Sequence, residues 1–274
     1  MQSPAVRYPS VAGKFYPADP NELRSILDHY LGAEDPATII PDAKACVVPH
    51  AGYIYSGAVA GAVYRKIPAH ATFVILGPNH FGYGKPLAIT PHGYWQTPLG
   101  LAAVDEPLAR AIQQNCAGLV EDAEAHAAEH SLEVQIPFLQ RRMKSFTFVP
   151  IAIGGIGYER LEALGIAIGR ALAAWSQSVA IIASSDMNHY EPDRITRVKD
   201  HKAIEKMLAM DPAGLYDVLC RERITMCGYG PVIAILMAAK EMGAREAKLE
   251  KYATSADAGA DRHSVVGYAG MIIQ

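Results

Sequence analysis

Three histidines, His50, His80 and His189, each stand just past a short apolar run that ends at a structure-breaking or polar residue. The runs are Lys-Ala-Cys-Val-Val-Pro-His at residues 44–50, Thr-Phe-Val-Ile-Leu-Gly-Pro-Asn-His-Phe at 72–81, and Ser-Val-Ala-Ile-Ile-Ala-Ser-Ser-Asp-Met-Asn-His at 178–189. Short runs rich in β-branched residues and closed by such breakers read as buried strands. In open α/β sheets, ligands bind beyond the carboxyl ends of the strands. Three imidazoles delivered to that edge describe one shared site. Neutral imidazole is a nitrogen ligand for zinc, iron and copper, so the expected chemistry is that of a metal centre.

Two further residues belong to this reading. Cys227 lies in Ile-Thr-Met-Cys-Gly-Tyr-Gly-Pro, directly before an apolar helical stretch. A helix N-terminus favours thiolate over thiol, which would make Cys227 a metal ligand or a nucleophile. A small buried hydrophobe is the equal alternative. Asp186, three residues before His189, is placed to accept an imidazole N–H and fix its tautomer, or to cap the next segment. His189 is a ligand or a general base.

The other candidates divide differently. His29, His70, His92 and His201 have polar helical or loop surroundings and are expected at the surface. Cys46 falls inside the strand 44–48 and should be buried and inert, and no chemistry is expected of Cys116 or Cys220 at helix ends. None of the four cysteines forms a C-x-x-C pair, so no zinc ribbon or thioredoxin motif is present. Residues 126–130 read His-Ala-Ala-Glu-His, the H-x-x-E-H string of inverzincin peptidases, in which two imidazoles on one helix face bind zinc. No motif marks a third ligand for it. The expectation is instead that His130 and Glu133 form part of the wall of the strand-end site, with His126 exposed. Gly154-Gly155-Ile156-Gly157 lacks the Lys-Ser/Thr of a phosphate loop, and no G-x-S-x-G elbow occurs.

The elements that must carry these residues follow from periodicity and breakers. Helices are expected over 20–31 with Asp19 as N-cap, then 56–67, 105–115, 121–140 (broken at Pro137), 159–175, 193–210, 212–221 and 228–242. Strands are expected at 44–48, 73–76, 87–90, 145–153, 179–183, 248–254 and 264–273, with 91–100 a loop. The alternation argues for one α/β domain over 1–274, a central mixed sheet with helices on both faces.

Composition narrows the partners. The chain has 25 basic and 28 acidic residues, well interspersed, for a net charge of −3. Without a basic stripe, neither nucleic acid nor an anionic membrane is an expected partner. No run approaches the roughly 18 apolar residues of a membrane span. The start, Met-Gln-Ser-Pro-Ala-Val-Arg, has no apolar signal segment, so the expected location is cytoplasmic, with reduced thiols.

Taken together, six strings resemble the Memo family, named for a human mediator of cell motility and found as a companion of radical-SAM and AMMECR-type proteins. They are Ala-Gly-Lys-Phe-Tyr-Pro at 12–17, Pro-His-Ala-Gly-Tyr at 49–53, Leu-Gly-Pro-Asn-His at 76–80, Glu-His-Ser-Leu-Glu at 129–133, Ser-Ser-Asp at 184–186 with His189, and Thr-Met-Cys-Gly at 225–228. The resemblance implies a fold similar to class III extradiol dioxygenases, which hold Fe(II) with two histidines and a carboxylate. It places His50, His80 and Cys227 as metal ligands and Asp186 and His189 as pocket residues, His189 standing where those enzymes keep an acid/base histidine. A thiolate in place of the carboxylate softens the site. The implied metal is iron or copper, with zinc as the redox-inert alternative. Three functions follow: a metal-binding protein with redox activity, a dioxygenase-type oxidoreductase on an aromatic or small organic substrate, or a non-enzymatic module for a peptide or small ligand. Radical-SAM and AMMECR-type proteins are the implied companions.

Overall fold

A computed structural model describes residues 5–274; residues 1–4, part of the start read above, lie outside the described residues. Among these, twelve strands form one sheet. Nine of them follow in the order Val6–Arg7, Tyr94–Thr97, Gly100–Val104, Thr147–Ile153, Thr72–Pro78, Val179–Ser184, Ala45–Val48, Val265–Ile273 and His189–Glu191, and off this path Leu87–Ile89 pairs with Thr147–Ile153 and with Val120–Glu121. The strands from Gly100–Val104 to Ala45–Val48 pair in parallel. Val265–Ile273 joins Ala45–Val48 antiparallel, and Ala247–Thr254 flanks it. The sheet is therefore mixed.

The central strands are buried on both faces, which is why they read as continuous apolar runs. Their side chains still alternate. Cys46, Val48, Phe73, Ile75, Ala180 and Ile182 face the helices Pro20–Leu31, Tyr53–Tyr64 and Ile136–Arg142. Val47, Val74, Leu76, Ile181 and Ala183 face Glu106–Asn115, Tyr158–Ala173 and Tyr229–Glu241. Each large side chain fully buried this way contributes roughly 1.5–3 kcal/mol. Tyr229–Glu241 is apolar nearly all round because it lies inside this second layer. Asp19 caps the first helix as expected, accepting from the Asn21 and Glu22 N–H groups.

Parallel pairing also decides where the site is. Ala45–Val48, Thr72–Pro78 and Val179–Ser184 lie side by side in the same direction, with Val48 opposite Ser184 and Leu76 opposite Ala183. The residues that follow them emerge at one end of the sheet.

Three sequence expectations change. The loop expected at 91–100 contains the strand Tyr94–Thr97, paired in a hairpin with Gly100–Val104, which no expectation covered. Trp95 and Thr97 point inward and Tyr94 and Gln96 outward, a period of two that Pro91, Pro98 and the glycines masked. Gly77-Pro78 does not stop its strand: pairing with Val179–Ser184 ends at Leu76, but the ladder with Thr147–Ile153 runs on to Pro78. The expected helix 121–140 is three pieces, Glu124–Ala127, a 3-10 turn at Glu133–Gln135, and Ile136–Arg142. Glu129 interrupts it by turning its carboxylate onto the Ser131 N–H at 2.8 Å. Pro137 breaks nothing, since it sits in the first turn of its helix, where no N–H is needed.

Candidate metal centre

His50, His80 and His130 converge at the strand ends. One potential ligand atom from each lies within 4.8 Å of the others. His80 and His130 stack with ring centroids 4.7 Å apart, and His50 meets both edge-on at 5.1 and 5.5 Å. The sulfur of Cys227 is 3.2 Å from His50 Nε2. Sequence reading placed His130 in the wall of the site; its ring belongs to the cluster itself.

The hydrogen bonds decide which nitrogen of each ring is available. Ser184 Oγ has a single proton, and it goes to the Ser131 carbonyl at 2.6 Å. The same oxygen accepts from Gln135 Nε2 at 2.8 Å. Its contact with His50 Nδ1 at 2.9 Å is therefore one in which the imidazole donates. His50 carries its proton on Nδ1 and offers the Nε2 lone pair. His80 Nδ1 lies 2.9 Å from Glu129 Oε1, whose partner oxygen accepts the His80 backbone N–H at 2.7 Å. A carboxylate on the far nitrogen of a ligating imidazole fixes the ring and raises its basicity. Burial opposes the charge on Glu129, but the His80 hydrogen bond and charge and the Ser131 and His80 N–H groups outweigh it, lowering its carboxyl to about 2.

Burial is the main influence on the other groups. It pushes His50 well below the ordinary imidazole range, reinforced by the charges of His80 and His130, and it lowers His130 too. Neutral imidazoles are the form that ligates. Asp186 is raised by burial, although the His50 and Ala51 N–H groups donate to its Oδ1 at 2.8 and 3.3 Å. Its Oδ2 is 3.9 Å from His50 Nε2. Asp186 thus grips the backbone that carries His50. The tautomer-fixing role expected of Asp186 is filled by Ser184 for His50 and by Glu129 for His80.

Cys227 sits just before Gly228, the N-cap of the helix Tyr229–Glu241. Helix-end stabilisation of a thiolate does not prevail there. Burial, then the neighbouring Asp186 charge, pushes the thiol well above its ordinary range, against the N–H groups of Asp186 and Gly228. Protonated sulfur and the His50 lone pair are therefore matched as donor and acceptor. A Cβ on Gly228 would lie 2.4 Å from the Ser184 carbonyl, and one on Gly77 would lie 2.5 Å from Ser131 Oγ. Gly228 lets the segment bearing Cys227 approach the end of the strand Val179–Ser184, and Gly77 lets the segment that follows His130 approach the strand leading to His80.

His189 completes the wall. Its Nδ1 lies 2.9 Å from the Thr225 carbonyl, which can only accept, so His189 also carries its proton on Nδ1. The next residue, Tyr190, has a left-handed backbone (φ 61°) at a bulge in the strand pairing and is 77% exposed. Together these groups line a cavity of about 700 Å³ whose apolar walls include Phe15, Phe81 and Val266.

His126 is not exposed: it is 2% exposed, packed against Trp95, and lowered to about 4 by burial and the Arg7 charge. The helix ends at Ala127, so the rings of His126 and His130 do not share a face. Glu133 is not in the cavity wall. It is buried beneath the entry segment, accepting from Arg7 Nη1 at 2.5 Å, the Ser10 and Val11 N–H groups and the Tyr16 hydroxyl. Cys46 and Cys116 are buried, and Cys220 is exposed. His29 and His201 are exposed, while His70 and His92 are half-buried. Sequence reading missed the roles of Glu129, Ser184 and Gln135. Glu129 and Ser184 left a signal, as members of the strings at 129–133 and 184–186, and Gln135 left none. Among the described residues no helix is long and apolar enough to cross a membrane.

Comparison with known proteins agrees with the six strings. A curated relative from Methanopyrus kandleri, described as a MEMO1 family protein, is 41% identical over 98% of this chain and 99% of its own. Relatives from Methanosarcina barkeri and Archaeoglobus fulgidus, described likewise, are 41% and 42% identical, each over 98% of this chain and 100% of their own. The profile of the Memo-like proteins matches residues 7–272. With the match running through every strand that delivers a residue to the histidine cluster, the chain belongs to the Memo family.

Proposed function

We propose that this protein binds one metal ion at the strand ends and presents it to a small molecule entering the cavity. His50 and His80 hold the ion, with His130 and Cys227 as the further donors on either side. The observation that carries this reading is the convergence of three imidazoles within 4.8 Å, two of them with the far nitrogen already engaged. The donor set fits a metal: neutral imidazoles, a carboxylate behind one ring, and a thiol that becomes a soft ligand on losing its proton. Iron or copper is the proposed metal, and bound there it would supply redox and Lewis-acid chemistry.

The chain's own groups have distinct tasks in this reading. Ser184 and Glu129 hold the His50 and His80 rings in their ligating tautomers. Asp186 anchors the backbone at His50 and Ala51. His189, with its proton on Nδ1, keeps a lone pair on Nε2 for accepting a proton from the entering molecule. The apolar walls exclude water from the bound molecule.

Elemental analysis of the purified protein and of the His80→Ala, His130→Ala and Cys227→Ala variants tests the proposal. Near-stoichiometric metal in the native protein and its loss in His80→Ala are expected. Undiminished metal in all three folded variants would end it. A second reading, a binding module that uses the cavity without turnover, draws on the exposed Phe81 and Tyr190 at the mouth (50% and 77%). Binding of an aromatic ligand that survives His80→Ala would favour it.

A further inference from the structure

We propose that Asn188 is a positioning residue for His189: it locks the loop before His189 to the loop before Cys227, and so sets the His189 tautomer. This rests on the role given to His189 above.

Asn188 is fully buried and uses both ends of its side chain. Its Oδ1 accepts from the Thr225 N–H at 3.1 Å and from the Thr225 hydroxyl at 3.2 Å. Its Nδ2 donates to Glu191 at 2.7 Å. Thr225, held this way, receives the His189 backbone N–H on its hydroxyl oxygen at 2.8 Å and the His189 ring on its carbonyl at 2.9 Å. Thr225 thus grips the histidine twice, and Asn188 grips Thr225 twice. Two residues further on is Cys227.

Asn188 is itself held from behind. Its N–H donates to Oδ1 of Asp200, a fully buried residue on the helix Asp193–Leu208, at 2.8 Å. Asp200 Oδ2 accepts from the Tyr252 hydroxyl at 2.7 Å. A Cβ on Gly267 would fall 1.8 Å from that oxygen, so the glycine leaves the space that the Asp200 carboxylate occupies. The anchor runs from a long helix, through Asn188 and Thr225, to an imidazole at the cavity wall. A half-buried ring with a free choice of tautomer would spend part of its time with Nε2 protonated and unable to accept. The Thr225 carbonyl removes that choice, because a carbonyl cannot donate.

Nitrogen-15 NMR of the histidine rings at alkaline pH, on protein without added metal, reads the tautomer directly. The native protein should show His189 in the Nδ1–H form. Asn188→Ala should raise the ratio of Nε2–H to Nδ1–H about fivefold, the loss of one hydrogen bond of ordinary strength. Thr225→Val should do the same, and Thr225→Ser, which keeps the hydroxyl, should not. If Asn188→Ala fails to fold, the Val and Ser pair decides. An Nε2–H form in the native protein, or an unchanged Nδ1–H form in folded Asn188→Ala or in Thr225→Val, would overturn the proposal. Because the readout needs no metal, it is separable from failure of the metal-site reading.

Discussion

Glu129 holds His80 twice, once at ring Nδ1 and once at the backbone N–H, from a position 49 residues away. One carboxylate thereby fixes both where His80 stands and which way its ring faces. Its third bond, to the Ser131 N–H, starts the turn that brings His130 over the His80 ring.

Glu129→Gln should therefore weaken metal binding without unfolding the protein. Glutamine keeps one accepting oxygen but puts an NH2 donor where the other carboxylate oxygen accepts, so it cannot serve the His80 N–H on one side and the His80 ring and Ser131 N–H on the other. Loss of such a supporting group typically lowers affinity about 10–100-fold. Competitive titration of zinc against a chromophoric chelator measures it, and an affinity equal to that of the native protein would contradict the role assigned to this carboxylate.

Cobalt(II) gives a direct test of the sulfur. If Cys227 ligates, the cobalt-loaded protein shows a sulfur-to-cobalt charge-transfer band that vanishes in Cys227→Ser. His130→Ala should leave the band in place. A cobalt spectrum without that band in the native protein would assign the third donor to His130 alone.

Glu133 is a stability residue. Its carboxylate is the counterion of Arg7 and the acceptor for the Ser10 and Val11 N–H groups. Burial opposes its charge, yet Arg7 and Ser10 hold its carboxyl below the usual range. Glu133→Ala leaves a largely covered guanidinium without its counterion and two N–H groups without an acceptor, and should cost about 3 kcal/mol. Urea unfolding measures this, and a shift under 1 kcal/mol would show that the pair is not buried as described.

Asp200 makes stability depend on pH with a definite sign. Burial raises its carboxyl from 3.8 to about 7, against the hydrogen bonds from Tyr252 and Asn188. Below pH 3.8 both folded and unfolded chains keep the proton. Between 3.8 and about 7 the unfolded chain releases it first. The folded state therefore loses stability as pH rises through that window, on the order of 4 kcal/mol in all, and the loss levels off above it. Asp200→Asn, which keeps an acceptor for Asn188, should flatten this part of the profile. Urea midpoints at pH 5 and pH 8 compare the two, and parallel profiles would rule out the assignment.

Much of this protein is legible in one dimension because its signals are local. Apolar runs such as residues 73–76 and 179–183 have nowhere to go but a sheet interior. Histidines placed just beyond them must emerge at the strand ends once neighbouring strands run parallel. Asp19 caps its helix through bonds two and three residues away. Where local signals conflict, the reading fails. Glycine and proline around Trp95 hid a hairpin whose register is set by pairing partners, and Glu129 dissolved a helix by binding a strand end 49 residues away.

The site divides along the same line. Which residues could ligate follows from their chemical type and from the ends of the strands that carry them. Which nitrogen each ring offers does not, because a tautomer depends on the partner across the fold: Ser184 for His50, Glu129 for His80, Thr225 for His189. His126 and His130 belong to one pentapeptide and look equivalent on paper. A helix that ends at Ala127 sends one against Trp95 and the other into the cluster, a separation that only packing produces. Likewise Cys227 sits at a helix start that favours thiolate, but desolvation and the Asp186 carboxylate outweigh the helix and keep its proton in place.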